Sequence, residues 1–119
     1  MNESPIFART FDLVQWLLRV TEHFPRSQRF VLAGRIQDAA FELNDSLLAA
    51  GLQRGPRRCE YLERADLDLA RLRHYVRLAH EMEWVGMGQY EHVSRMLDEV
   101  GRLLGGWLRN ERESRPRPV

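Results

Sequence analysis

Two long amphipathic segments between Leu62 and Leu108 constrain the fold of this chain more than any other feature. In both segments the apolar positions alternate spacings of three and four residues. They are Leu62, Ala65, Leu69, Leu72, Val76 and Ala79 in the first, and Val93, Leu97, Val100, Leu104 and Trp107 in the second. A short break at residues 84–88 separates them. Heptad seams joined by so short a connection predict two antiparallel helices that form a hairpin.

The N-terminal half of the chain supplies two further helices that can cover this hairpin. The apolar stripe of the first is Phe7, Phe11, Val14 and Leu18, widened by Leu13 and Leu17. That of the second is Val31, Leu32, Ile36, Ala39, Ala40, Leu43 and Leu47. Pro25 ends the first helix, Ser27 is a suitable cap for the second, and Gly51 is its natural terminator. Four helices with short connections predict an all-α fold, an up-down-up-down antiparallel four-helix bundle.

The predicted boundaries follow from these start and stop signals. We expect one domain, a bundle of residues 1–110, with helices at about 5–23, 27–50, 57–82 and 89–110. Residues 111–119 are polar and contain two prolines, so we expect a flexible tail.

The composition of the chain indicates the cellular compartment in which it functions. No apolar run approaches the roughly 20 residues that span a bilayer, and the N-terminus has no secretion signal. The single cysteine, Cys59, excludes an internal disulfide and suits a reducing environment. We therefore expect a cytoplasmic protein that does not associate with membranes.

The four histidines do not form a recognisable metal motif. Di-iron bundles place a glutamate three residues before a histidine, on the same helical face. In this chain the residues three before a histidine are Val20, Arg71, Arg77 and Gln89. No serine has the context of a nucleophile elbow. We expect no catalytic residue, no metal and no cofactor.

The arginines form a regular pattern. All 18 basic residues are arginine, although the net charge is only +1. Arginines that recur at intervals of seven, or lie beside those that do, are Arg57, Arg64, Arg71, Arg73 and Arg77 in the third helix and Arg95, Arg102 and Arg109 in the fourth. Such stripes can follow a phosphate backbone. They can equally be solvated faces paired with carboxylates three or four residues away, and both interpretations remain open.

Other residues of the last two helices indicate packing beyond one bundle. Four apolar residues lie off the seams: Leu67, Leu78, Met96 and Leu103. Gly101 and Gly105 stand inside the fourth helix, where a glycine costs about 1 kcal/mol relative to alanine. Close approach of another helix, inside the bundle or between subunits, explains them. A looser helix near its end explains Gly105 equally well.

Several motifs together resemble the accessory variability determinant (Avd) proteins of diversity-generating retroelements. They are FPRSQRFVL at 24–32, RIQDAA at 35–40, RADL at 64–67, LAHE at 78–81, QYEHVS at 89–94 and GRLLGGW at 101–107. The resemblance extends over nearly all of residues 6–109. The last two motifs are the more specific ones.

This resemblance implies a non-catalytic accessory subunit that forms a homopentamer. Such a subunit binds the reverse transcriptase and RNA or DNA, and supports mutagenic copying of a template. The eight arginines then become candidate contacts, and the four off-seam apolar residues with Gly101 and Gly105 become candidate packing positions. The nearly neutral charge departs from strongly basic relatives, so binding should be weaker and more sensitive to salt. The alternative is a general interaction bundle without a nucleic-acid role, like the proteins encoded by intervening sequences of ribosomal RNA genes.

Overall fold

The fold is a bundle of four antiparallel helices. A computed structural model describes residues 5–114, in which the helices are α1 (Pro5–Thr21), α2 (Leu32–Leu52), α3 (Gly55–Glu81) and α4 (Met87–Glu113). α1 and α3 each lie between α2 and α4, and the bundle measures 55 × 24 × 23 Å. The predicted all-α, up-down-up-down architecture is confirmed.

The heptad seams of α3 and α4 form a large part of the core. All six predicted positions of α3 are buried, as are the first four of α4. Only the end of the α4 seam differs: Trp107 is half-buried, and Leu108 is 7% exposed. A straight helix of 3.6 residues per turn drifts away from a strict heptad, so the next residue turns inward.

The predicted stripe of α1 is only partly the buried one: Leu13 and Leu17, which the sequence predicts to widen it, are buried, whereas Phe7, Val14 and Leu18 are half-buried. The buried residues are Ile6, Thr10, Leu13, Leu17 and Thr21, whereas Phe11 is 65% exposed. α1 is apolar on two adjacent sides, and the side that contains two threonines is the one that packs inward. The Thr21 hydroxyl tolerates burial because it donates to the Leu17 carbonyl at 2.8 Å. The Thr10 hydroxyl has no hydrogen-bond partner among the described residues.

The start of α2 also differs from the prediction. Ser27 does not cap the helix, because residues Arg26–Gln28 form a 3₁₀ turn that begins with a Gln28 N–H to Pro25 carbonyl bond of 2.8 Å. α2 begins only at Leu32, and Val31 is 58% exposed rather than part of the core. The β-branched Val31 separates turn and helix with φ −114° and ψ −93°.

The predicted terminator of α2, Gly51, does not end the helix. Gly51 lies inside α2, and a Cβ there would lie 3.2 Å from the Phe7 ring, so this position accommodates α1. The helix ends at Leu52, and the chain turns at Gly55, which has φ +62°. Glycine adopts this left-handed conformation without steric cost.

The α3–α4 connection is a Schellman turn closed by a residue other than glycine. The Trp84 N–H donates to the Ala79 carbonyl and the Glu83 N–H to the His80 carbonyl, both at 2.9 Å. Glu83 occupies the left-handed position with φ 67°. The Gly86 N–H then donates to the Gln89 side chain at 3.0 Å as α4 begins. The turn therefore depends on Glu83, although the glycines of this segment are at 86 and 88.

α4 is longer than predicted and takes up the first residues of the expected tail. Arg112 pairs with Glu63 at 3.0 Å, and Glu111 pairs with Arg58 at 3.5 Å. These contacts attach the last turn of α4 to α3, so the helix continues to Glu113. The rest of the predicted flexible tail, residues 115–119, lies outside the described residues.

Candidate interaction surfaces

The five candidate arginines of α3 divide into two groups. Arg71 contacts Glu42 of α2 at 3.1 Å and Asp68 at 3.3 Å, and Arg73 contacts Asp98 of α4 at 2.8 Å. These two link α3 to its neighbours. The other three are exposed and have no carboxylate partner among the described residues; they are Arg57, Arg64 and Arg77.

The three candidate arginines of α4 lie on its outer side, and all are exposed. Arg102 makes three hydrogen bonds of 2.9–3.1 Å to the carboxylate of Glu99. Arg95 and Arg109 have no carboxylate partner in the described part of the chain. The solvated-face interpretation therefore describes Arg102, while Arg95 and Arg109 keep free guanidinium groups.

A further group of arginines lies around the 3₁₀ turn before α2. Arg26, Arg29 and Arg35 are exposed, without carboxylate partners in residues 5–114, and Phe30 between them is 97% exposed. Heptad periodicity could not reveal this group, because part of the segment is not helical. The only sequence signal was the FPRSQRFVL motif of the family resemblance.

Gly101 has a clear role inside the bundle. The guanidinium of Arg73 lies across this position, where its Nη2 donates to the Leu97 carbonyl at 3.1 Å. A Cβ at Gly101 would lie 2.8 Å from that nitrogen. Glycine at this position therefore lets a side chain of α3 reach the backbone of α4.

Gly105 and Gly106 have no such explanation. A Cβ at Gly105 would meet nothing within 4 Å, and one at Gly106 would meet only Arg109 of the same helix, at 4.0 Å. Nothing that the described bundle contains requires a glycine at either position. Each still costs about 1 kcal/mol of helix stability relative to alanine.

The four off-seam apolar residues do not share one patch. Leu67 is 62% exposed on the outer side of α3. Leu78 is 44% exposed and lines a groove of about 430 Å³ with Val31 and Met82, at the C-terminal end of α3. Met96 and Leu103 are half-buried on α4, and Leu103 lies towards the opposite end of the bundle from Leu78. Their use in packing between subunits stays a prediction.

A concavity of about 880 Å³ lies where α1 begins and where α2 and α4 end. We call it the apolar groove. Its floor consists of Phe7, Leu48, Leu52, Leu103, Gly106 and Trp107, and its polar lining includes Arg58, Arg102 and Arg109. Phe7 and Trp107 meet edge to face with their ring centroids 5.9 Å apart. Heptad spacing indicates Leu103, Arg102 and Arg109 but does not reveal the groove, because residues from four helices form it.

The outer side of α2 exposes three large apolar side chains among its charged residues. Phe41, Leu48 and Leu52, spaced seven and four residues apart, are 46%, 50% and 84% exposed. Phe7 of α1 lies beside Gly51, so the antiparallel register places exposed Phe11 level with Leu48. The prediction missed this surface because it assigned Phe11 to the core.

One carboxylate is buried between α2 and α3. Asp68 is 4% exposed, accepts a bond from the Ser46 hydroxyl at 3.3 Å and contacts Arg71. Burial raises the pKa of Asp68 and nearby Glu42 raises it further, while the bonds from Ser46 and Arg71 lower it. Pairing with Glu42 raises the pKa of Arg71 in turn. This arrangement holds two helices together around one enclosed acid.

The histidines are distributed rather than clustered. His80 contacts the Val85 carbonyl through Nδ1 at 2.8 Å and stacks on Tyr90 with centroids 4.3 Å apart, so it supports the α3–α4 connection. Within residues 5–114 no group of three or more His, Cys, Asp or Glu side chains is placed to hold a metal ion. None of the described helices is long and apolar enough to cross a membrane.

Comparisons with known proteins agree with this architecture. A crystal structure of a protein of unknown function from the S23 ribosomal protein family of Bacteroides thetaiotaomicron superimposes with a TM-score of 0.80. The match covers 87% of this chain and 95% of that chain at 14% identity, which supports the fold alone. No curated protein matches the sequence significantly. The model of the family described as bAvd-like matches residues 6–111, which confirms the resemblance seen in the sequence motifs. This chain is therefore a member of the bAvd-like family.

Proposed function

We propose that the protein is a non-catalytic accessory subunit of a diversity-generating retroelement. In this role it is a homo-oligomeric scaffold, a pentamer, that binds the reverse transcriptase together with RNA or DNA during mutagenic copying of the template. The observation that carries the proposal is the family match over residues 6–111. The all-helical bundle with its exposed arginines and apolar surfaces is consistent with a role in binding.

The free arginines supply the chemistry for the nucleic-acid part of the proposal. Arg57, Arg64, Arg77, Arg95 and Arg109 have guanidinium groups that no carboxylate of the described chain neutralises. Arginine binds phosphate oxygens with a planar, bidentate geometry. With a net charge of only +1, binding depends on these local groups. It should therefore weaken steeply as salt concentration rises.

The direct test is binding to the reverse transcriptase of the same element and to its template RNA. Purified protein should co-elute with the enzyme in size-exclusion chromatography and shift the RNA in a gel. If the protein bound neither the enzyme nor the RNA at low salt, the accessory role would be excluded.

Charge reversal separates the two arginine surfaces. Replacing Arg95, Arg102 and Arg109 by Glu should weaken RNA or enzyme binding and leave the circular dichroism spectrum unchanged, because all three are exposed. The matched triple variant of Arg57, Arg64 and Arg77 tests the outer side of α3. If one triple variant binds as wild type does and the other does not, the contact lies on the surface changed in the other variant. If both bind as wild type does, neither arginine stripe is the contact surface.

Assembly is tested by light scattering. A mass about five times the 14.0 kDa of the chain would support the pentamer, which is uncommon among soluble oligomers. A monomer would remove this part of the proposal and leave the fold unaffected.

A second candidate is an interaction bundle without a nucleic-acid role. The observation that favours it is the neutralisation of Arg71, Arg73 and Arg102 by carboxylates. This candidate predicts protein binding but no RNA shift at any salt concentration.

A further inference from the structure

The turn before α2 presents an aromatic ring to solvent. Two phenylalanines flank this turn, and the bundle uses only one of them. Phe24 is 4% exposed and packs against Trp84 with the ring centroids 5.9 Å apart, whereas Phe30 is 97% exposed. Leaving an apolar ring in water is unfavourable in proportion to its area. The fold of the chain therefore explains Phe24 and does not explain Phe30.

The backbone that carries Phe30 is held in place. The Gln28 N–H donates to the Pro25 carbonyl at 2.8 Å, and the Val31 N–H donates to the Gln28 carbonyl at 3.2 Å. The turn also lies against the first turn of α2, where a Cβ at Gly34 would be 3.4 Å from the Arg29 carbonyl. A side chain on an ordered backbone loses less conformational freedom when it binds a ligand.

The segment around Phe30 concentrates positive charge. Residues 23–37 contain three arginines and no Asp or Glu, so the segment has a formal charge of +3 in a chain whose net charge is only +1. The guanidinium groups of Arg26, Arg29 and Arg35 are exposed and have no carboxylate partner among residues 5–114. Arginines of this kind bind phosphate oxygens in a planar, bidentate geometry.

A hollow of about 640 Å³ lies beside Phe30, and most of its walls are polar. Glu22, His23 and Gln37 are in its lining, and the Gln37 amide is fixed by a bond of 2.9 Å to the Thr21 hydroxyl. Glutamine and glutamate side chains can hydrogen-bond the edges of nucleic-acid bases. The centre of a contact between proteins is instead apolar and depleted of charge. A single ring beside polar walls therefore suits a base better than it suits the apolar side of another protein.

We propose that Phe30 and the arginines around it bind single-stranded nucleic acid. An unpaired base stacks on the Phe30 ring, and Arg26, Arg29 and Arg35 bind the neighbouring phosphates. Proteins that bind single strands combine cationic groups along the backbone with aromatic rings on which bases stack. In a duplex the faces of the bases are covered, so the ring selects unpaired bases. The inference rests on the proposed function in taking nucleic acid as the ligand, and adds to it a site and a preference for single strands.

The test measures fluorescence anisotropy with labelled DNA single strands of about 12 nucleotides, a length within the site sizes of single-strand-binding folds. The matched probe is an abasic strand, which has the same phosphates and no bases. Wild-type protein should bind the normal strand at least about five times more tightly than the abasic strand, because stacking adds to the phosphate contacts. Equal affinities, or no binding of the normal strand at low salt, would overturn the inference.

Substitution of the ring locates the stacking. Phe30→Leu should weaken binding of the normal strand at least about five-fold and leave binding of the abasic strand unchanged, whereas Phe30→Trp, which keeps a ring, should bind as wild type does. The matched control is Phe11→Leu, at a ring of α1 that is 65% exposed. An equal loss in Phe11→Leu, or no loss in Phe30→Leu, would overturn the inference. Thermal melting verifies folding, and Phe30→Leu should keep the wild-type melting temperature because the ring is exposed.

Substitution of the arginines tests the phosphate contacts. Replacing Arg29 and Arg35 by Gln should make binding less sensitive to salt and reduce the slope of log affinity against log salt by about 1.4, because each phosphate contact with a single strand contributes about 0.7. The matched control replaces Arg19 and Arg54 by Gln, at exposed positions outside the segment. Equal changes in both double variants would overturn the inference, since charge spread over the surface would then account for binding.

The remaining outcomes identify other ligands and separate this inference from the proposed function. A lower light-scattering mass for Phe30→Leu than for wild type would assign the ring to a contact between copies and overturn the inference. Loss of transcriptase binding without loss of single-strand binding in Phe30→Leu would assign it to a protein contact, with the same consequence.

The two proposals can also fail separately. If wild-type protein binds the single strand through Phe30 but does not bind the transcriptase, and binds the template RNA no more tightly than an unrelated RNA, the proposed function fails and this inference stands. If Phe30→Leu binds the enzyme, the template RNA and the single strand as wild type does, only this inference fails.

Discussion

The α3–α4 hairpin and the α1–α2 pair are joined in different ways. Across the hairpin, Arg73 pairs with Asp98, Arg112 with Glu63 and Arg58 with Glu111, all on the outer side of the core. Among the described residues no ion pair joins α1 to α2, where the cross-helix polar bond is that from Gln37 to Thr21. The α1–α2 side instead exposes Phe11, Phe41, Leu48 and Leu52.

This difference indicates that the bundle itself satisfies most of the packing of the hairpin, whereas the α1–α2 pair keeps apolar surface that the bundle does not cover. The hairpin exposes Leu67, Leu78, Met82 and Met87 but is otherwise largely polar on its outer surface, so the sequence specifies one orientation of its seam. The α1–α2 pair is apolar on more than one side, so burial of one stripe leaves another exposed to solvent. Apolar surface of that kind suits a further contact, whereas a charged, paired surface resists one. The α1–α2 side is accordingly the better candidate for assembly through apolar contacts, whereas the unpaired arginines of α3 and α4 are the candidates for contacts with RNA or the transcriptase.

The largest expected effect tests which stripe of α1 is in the core. Leu13→Ala should lower the free energy of unfolding by about 2–5 kcal/mol, because Leu13 is fully buried. Phe11→Ala should change it by no more than about 0.5 kcal/mol, because Phe11 is largely exposed. Urea unfolding followed by circular dichroism measures both, with buried Leu72→Ala of α3 as the control.

A larger loss for Phe11→Ala than for Leu13→Ala would contradict this orientation of α1. A loss for Phe11→Ala that grows with protein concentration would instead place Phe11 in a contact between copies. Either result would change the comparison between the two helix pairs.

The contrast between the two pairs also explains what the sequence could reveal. All six seam positions that periodicity predicted in α3 are buried, because charged residues occupy most of the other sides of that helix, although Cys59 and Asp68 are buried as well. In α1 the polar residues are too few to choose between the Phe11 stripe and the Leu13 stripe, and two threonines lie on the buried side. The apolar groove escaped prediction because tertiary structure, not spacing along one helix, brings Leu48, Leu103 and Trp107 together.

The next effect concerns the connection that sets the geometry of the hairpin. Glu83→Gly should raise the free energy of unfolding by about 1 kcal/mol, because a left-handed residue with a Cβ is strained and glycine is not. Thermal and urea unfolding measure the gain. The control is Glu81→Gly in the last turn of α3, which should lower stability by about 0.5–1 kcal/mol. A loss of stability in Glu83→Gly would show that its side chain has a role beyond the turn.

A smaller effect is expected for Asp68, the acid buried between α2 and α3. The bonds from Ser46 and Arg71 partly offset the rise in its pKa that burial causes. Because the folded-state pKa of Asp68 is raised above the ordinary 3.8, the folded protein holds this proton at pH values where the unfolded chain has lost it. Its contribution to stability is therefore present below 3.8 and is lost as pH rises through the folded-state pKa.

Asp68→Asn removes this titration. The stability of the variant relative to wild type should increase as pH rises from 3.8 and then become constant. Urea unfolding at a series of pH values measures the difference, with exposed Asp66→Asn as the baseline. A relative stability that falls over this range would mean that the bonds from Ser46 and Arg71 outweigh burial.

The smallest effect compares the side of α4 that faces α3 with its outer side. Gly105→Ala should stabilise the protein by about 0.5–1 kcal/mol, because a methyl group there meets nothing within 4 Å. Gly101→Ala should gain less or lose stability, because its Cβ would lie 2.8 Å from Arg73 Nη2 and displace the guanidinium from the Leu97 carbonyl.

A double-mutant cycle isolates that contact. In an Arg73→Ala background, Gly101→Ala should recover the full gain seen for Gly105→Ala, since the obstructing nitrogen is gone. Thermal unfolding of the four variants measures the coupling. Zero coupling would show that Arg73 moves aside without cost, so that Gly101 is no more necessary to the hairpin than Gly105. If Gly101→Ala stabilises the Arg73→Ala variant more than it stabilises the wild type, the bundle requires the glycine at 101. The glycine at 105, one helical turn later, is then the one that remains available to a partner.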